Sequence, residues 1–153
     1  MMDHPAVSDL ARQRGLKEPP PALFQAIEQF NRHKFFECHE TLEKIWSEEP
    51  GEVRRLYQGI LQLGVGFYHA LQRKNYQGAT ALLQRGMNYL RPFTPIYFGL
   101  DLAGLLIATN RALEQLLLLG PTQIERFEAD YIPQINFIES ELNIAYLQKK
   151  AQV

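Results

Sequence analysis

Residues 52–73 read EVRRLYQGILQLGVGFYHALQR, and the fold turns on this stretch. It contains no proline, is far longer than a strand, and at about 100° per residue its side chains are apolar in almost every direction. A helix that is hydrophobic nearly all round belongs in the middle of a bundle. The exception is one strip on which Gln58, Gln62 and His69 line up, flanked by Arg55, Arg73, Gly59 and Gly66. A glycine inside a helix costs about 1 kcal/mol relative to alanine, so Gly59 and Gly66 predict that another backbone or a ligand comes close.

Working outward, Pro50-Gly51 stops a preceding helix over 35–49, so the second and third helices form a hairpin. Pro19-Pro20-Pro21 precedes a first helix over 21–32, with Phe24, Ile27 and Phe30 at helical spacing. Asn75 marks a turn into a fourth helix over 76–91, whose stripe is Ala79, Leu82, Leu83, Met87 and Leu90, and which Pro92 and Pro95 end. Asp101 caps a fifth helix running to Leu119, where Gly120-Pro121 stops it and Leu116 to Leu119 must all find cover. From Thr122 the pattern weakens: a short helical piece to Ala129, a break at Pro133, and a last helix through Ile138, Leu142 and Leu147. No alternation predicts strands. The expectation is an all-α, single-domain bundle of about five main helices with a less regular C-terminal segment: a polar lead over 1–20, a helical core over 21–120 and a helical extension over 121–153.

Hydrophobic residues are 46% and charged residues 22% of the chain, the balance of an ordinary globular protein. A net charge of −1 gives no field that would draw it onto nucleic acid or anionic lipid. Cys38 is the one cysteine, which excludes an internal disulfide and fits a reducing compartment, so a cytoplasmic location is expected. MMDHPAVSDLARQRG at the start has no apolar stretch of signal-peptide length. The runs Leu102 to Ala108 and Leu116 to Leu119 fall short of the ~20 residues of a membrane span, so no membrane association is expected.

On the second helix Phe35, Cys38, Leu42, Ile45 and Trp46 share an apolar face, with His39 and Glu43 at its edge, Glu40 just outside and Glu37 on the far side. Glu37 complements the helix N-terminus. Across the hairpin His39 and Glu43 are expected to face Gln58, Gln62 and His69. One reading of this cluster is a satisfied polar network fixing the register of the two helices, because unpaired buried polar groups cost about 1–3 kcal/mol each. Another is a site for a divalent metal on His39 and Glu43, with Glu40 or Glu43 as general base of a metal-assisted hydrolase. His39-Glu40-Thr41-Leu42-Glu43 departs from the zincin motif by carrying glutamate where that motif needs its second histidine, and a di-iron bundle would need Glu-x-x-His on two helices. The sequence requires no cofactor.

Phe30-Asn31, Phe35-Phe36-Glu37-Cys38-His39-Glu40, Glu43, Trp46, Tyr57-Gln58-Gly59-Ile60 and Gln62, in this order and spacing, resemble the domain-of-unknown-function 309 family. The resemblance runs from Ala22 to Leu90, taking in Asn75, Gly78, Ala79 and Leu83, and implies a small all-helical fold used inside the cell. The family's signature maps onto Phe36, Glu37, His39, Glu40, Glu43, Trp46, Gln58, Gly59 and Gln62, with no reaction attached. Cys38 stands where the family pattern has a small residue, and it reads as an inert core thiol. Phe36 and Trp46 are expected to pack, Trp46 as a core anchor. Neither a phosphate-binding glycine loop nor a serine nucleophile elbow occurs. The favoured expectation is a non-catalytic module whose His/Glu/Gln cluster shapes a groove for a protein or small-molecule partner, with the hydrolase as the alternative. Self-association through Leu116 to Leu119 is a further option.

Overall fold

The computed structural model describes residues 18–138, and five α-helices carry the fold of that stretch. Pro21 sits in the first turn of α1 (Pro21–Asn31), where its missing N–H costs nothing. His33 takes a left-handed backbone (φ 60°) between the first two helices, and its ring stacks on Phe35 at the start of α2 (Phe35–Glu48). A turn at 49–53 reverses the chain into α3 (Arg54–Tyr68), two residues later than the sequence suggests, because 51–53 are spent on the turn.

The last turn of the expected third helix is a π-helical turn, His69–Arg73, closed by Lys74 in the left-handed region (φ 54°). Asn75 does more than mark a turn: its Oδ1 accepts from the Gly78 N–H at 3.0 Å and caps α4 (Tyr76–Leu90). Asp101 caps α5 (Leu102–Leu119) in the same way, accepting from the Gly104 N–H at 2.8 Å.

α3 lies in the middle, as its all-round hydrophobicity requires. One side meets α1 and α2, with Gly64 against the rings of Phe30 and Phe35. The other meets α4 so tightly that a Cβ on Gly59 would stand 2.7 Å from Leu90, one on Gly66 2.9 Å from Leu83, and one on Gly86 3.0 Å from the Gly59 carbonyl oxygen. The core that results includes Leu23, Phe30, Leu42, Leu56, Tyr57, Ile60, Leu63, Phe67, Leu83 and Leu90, all essentially inaccessible.

The structure departs from the sequence reading in three places. Two strands do occur: Ile96–Tyr97 (β1) pairs antiparallel with Leu100–Asp101 (β2). Both turn residues, Phe98 and Gly99, have positive φ, the geometry of a two-residue hairpin, and strands this short leave no alternation to detect. Beyond α5 no α-helix forms among the described residues; Ile124–Arg126 and Ala129–Tyr131 are single 3-10 turns. This irregular segment is held by Ile124, Phe127, Ile132 and Ile135, which are buried, and by hydrogen bonds between Asn31 and Ile135. The expected helix through Leu142 and Leu147 lies outside the described residues, as do positions 1–17.

The third departure concerns α5. The helix has the expected bounds, but its 18 residues taken together have mean hydropathy 1.3, long and apolar enough to cross a membrane by length and composition, although each apolar run alone is short. One face of it, Leu102, Leu105, Thr109, Ala112, Leu113 and Leu116, is buried in the bundle. Of the four leucines that needed cover, Leu116 is buried and Leu119 half-buried, while Leu117 and Leu118 are 52% and 80% exposed. These two lie off the arc that faces α4, and Leu118 is left largely in solvent.

Candidate functional site

Two contacts fix the register of the α2–α3 hairpin. Phe35 lies against Gly64 at one end, and at the other the Arg54 guanidinium sits over the Trp46 ring, 4.3 Å from its centroid. Between them, one edge of α2 presents Phe36, His39 and Glu43, while Gln58, Gln62 and His69 form a strip of α3 on the side of Gly59 and Gly66, the glycines packed on α4, rather than of Gly64. Antiparallel packing puts His39 and Glu43 level with Gln58 and Gln62, while His69 lies beyond Gly64, at the Phe36 end.

Of the predicted cluster, only His39 and Glu43 are in contact with one another among the described residues. His39 Nε2 and Glu43 Oε2 are 3.5 Å apart, a pair one helical turn long with side-chain exposures of 37% and 61%. Such a pair is strongly screened and contributes little to stability. Among the described residues no hydrogen bond joins either side chain to Gln58, Gln62 or His69. Gln62 Oε1 and His69 Nδ1 are buried atoms with no partner among those residues. The register of the hairpin therefore rests on apolar packing and the Arg54–Trp46 stack rather than on a polar network.

Other expected members stand elsewhere. Glu37 is exposed on the far side of α2, in its first turn, where its charge complements the helix terminus. Glu40 is also exposed, outside the His39–Glu43 edge. Phe36, expected to pack, is 68% exposed, because it follows Phe35 by about 100° and so points off the apolar arc. Trp46 is half-buried at the core margin rather than an anchor within it. The groove predicted beside Gly59 and Gly66 is filled by α4: Leu90, Leu83 and the Gly86 backbone occupy it. The contact that the sequence did not reveal is that of Arg54, whose Nε is buried without a hydrogen-bond partner among the described residues while its guanidinium covers Trp46. Its spacing from Trp46 across a Pro-Gly turn was the available signal.

Cys38 is buried, and desolvation pushes its thiol up to about 12, which favours the protonated form of a thiol packed in the core. Tyr57 is pushed to about 12 as well, first by burial and then by the charges of Glu49 and Tyr97. For metal chemistry the face offers His39 and Glu43 together; among the described residues no three His, Cys, Asp or Glu side chains stand close enough to share an ion. A metal held there would depend on water or a partner for its remaining positions.

Helices α1 to α4 with this exposed polar edge define a small all-helical domain. Residues 23–82, from the first turn of α1 into α4, match the family described as a domain of unknown function, DUF309, and the resemblance drawn from the sequence is shown over that stretch. Over 74 residues the chain is 36% identical to the uncharacterized protein YpuF of Bacillus subtilis (strain 168). That alignment takes 47% of this chain and 42% of YpuF, so it spans less than half of either.

Proposed function

We propose that the chain is a non-catalytic interaction module working in the cytoplasm, and that the outer edges of α2 and α3 are its recognition face for another protein. The observation that carries this reading is a pair of buried polar atoms on the polar strip of α3, Gln62 Oε1 and His69 Nδ1, unpartnered among the described residues, together with a Phe36 ring on α2 that is 68% exposed. Most buried polar atoms in folded proteins are hydrogen-bonded, and each orphan is destabilising by about 1–3 kcal/mol. An exposed aromatic ringed by polar groups is the arrangement from which interface anchors are made. His39 and Glu43 follow Phe36 along the same side of α2, and the lone buried thiol of Cys38 suits a reducing compartment.

The test is affinity capture from the source organism with three baits: the native chain, Phe36→Ala and Gln62→Ala. One and the same protein should be retained by the native bait and lost from both variants, with their thermal melting at least as high as the native chain's. Retention that ignores both substitutions removes this face from consideration. In parallel, metal analysis of untagged protein beside His39→Ala separates the hydrolase alternative. Near-stoichiometric metal present only in the native chain would favour it over a recognition face.

A further inference from the structure

α5 carries a second exposed face. Ile107, Arg111, Glu114 and Leu118 fall within an arc of about 60° and follow one another over about 16 Å of helix. Ile107 and Leu118 are 57% and 80% exposed, Arg111 and Glu114 are exposed between them, and among the described residues neither charge has an ion-pair partner.

The order of these four residues is self-complementary. A two-fold axis at the level between Ala112 and Leu113 exchanges Ile107 with Leu118 and Arg111 with Glu114. Two copies of α5 laid antiparallel about that axis would bring Ile107 of each against Leu118 of the other, with Arg111 and Glu114 crossing twice in the centre. Leu117, 52% exposed, and the half-buried Leu106 lie on one flank of the stripe and match each other across the same axis to within two residues. On the opposite flank a cleft of about 430 Å³ opens between α5 and the Ala129–Tyr131 turn, with Ala108 and Tyr131 in its lining, at the level where the partner's Leu118 would arrive. We infer that this stripe is the contact surface of a symmetric homodimer in which α5 pairs antiparallel with α5 of a second copy.

The pattern favours a second copy over a bilayer. Arg111 and Glu114 sit midway along the helix, where a membrane would have to take both charges into its hydrocarbon centre, whereas a two-fold pairing gives each an opposite charge.

The experiment is sedimentation of the full chain and its variants over about a hundredfold range of concentration. The native chain should move from its 17.7 kDa mass toward twice that value. Arg111→Glu and Glu114→Arg, each of which sets like charges at both crossings, should weaken association at least about tenfold. The double variant R111E/E114R, and an equimolar mixture of the two single variants, should recover association to within about threefold of native. Both side chains are exposed, and circular dichroism checks that the variants stay helical. A strictly monomeric native chain overturns the proposal, whether it floats with phosphatidylcholine vesicles, which would assign the face to lipid, or does not. A dimer indifferent to the single reversals, or single variants that fail to recover on mixing, overturns the antiparallel register.

Discussion

Asn31 and Ile135 exchange two hydrogen bonds across 104 residues of sequence: the Asn31 amide donates to the Ile135 carbonyl at 3.0 Å, and the Ile135 N–H donates to Asn31 Oδ1 at 2.7 Å. The Gln134 side-chain amide adds a third bond, to the Asn31 carbonyl at 3.0 Å. An asparagine imitates a peptide group here, pairing with an irregular strand-like segment whose next residues bridge to β2, Phe137 opposite Leu100.

Asn31→Ala should therefore leave Ile135 without partners for its backbone groups and destabilise the chain by about 2 kcal/mol. Urea unfolding measures the loss, and hydrogen exchange should localise the earliest opening to 132–137. Exchange that rises uniformly over the whole domain would show that the C-terminal segment does not depend on this tether.

Four glycines at the helix contacts of α3 and α4 should respond to alanine in opposite ways. At Gly86 the added Cβ meets the Gly59 carbonyl oxygen at 3.0 Å and Leu63 at 2.7 Å, so α4 must move away from α3 at a cost of about 1–3 kcal/mol. Gly59→Ala and Gly66→Ala meet Leu90 and Leu83 and should also destabilise. Gly64→Ala finds only ordinary contacts, at 3.7 Å to Phe30 and Phe35, and should gain up to about 1 kcal/mol in helix propensity. Thermal melting of the four variants checks the order, and a Gly86→Ala protein as stable as Gly64→Ala would contradict the packing described.

Gln62→Leu should raise stability by about 1 kcal/mol, since it replaces an unpartnered amide oxygen by an apolar group of similar size. The same substitution should abolish recognition if the proposed face is used, a trade of function for stability. Denaturant midpoints read the first effect directly. A loss of stability would mean that the amide is satisfied in solution.

Alkaline pH should weaken the fold through two buried acids. Cys38 is raised from 9.0 to about 12 and Tyr57 from 10.0 to about 12, so the folded chain keeps both protons where the unfolded chain releases them. Their contribution is complete below pH 9 and is lost between there and about pH 12, at up to about 1.4 kcal/mol per pH unit for each group. In Cys38→Ala the decline should begin nearer pH 10, where Tyr57 alone remains. Equilibrium unfolding at pH 8, 10 and 11 resolves the two onsets, and alkylation of Cys38 at pH 8 should follow unfolding rather than precede it.

The sequence by itself determined the helices and their stops. Period 3.6 in the apolar residues, Pro50-Gly51, Asn75, Asp101 and Gly120-Pro121 are local signals, and local hydrogen bonding obeys them. It likewise put His39 and Glu43 one turn apart on one helix and Gln58 and Gln62 one turn apart on the next, because helical spacing alone dictates that.

Only the tertiary structure decided what those residues touch. Gly59 and Gly66 announced a close approach, but whether ligand or helix came close depended on α4, whose Leu83, Gly86 and Leu90 arrive from beyond a separate turn. Phe36 and Leu118 carry the same hydrophobicity as the buried Phe35 and Leu116, and a rotation of about 100° about one helix axis and about 200° about the other left them in solvent. The hairpin at Phe98-Gly99 and the Asn31–Ile135 exchange were illegible for a related reason. Two paired residues leave no period in a sequence, and a hydrogen bond between positions 104 apart leaves no local mark at all.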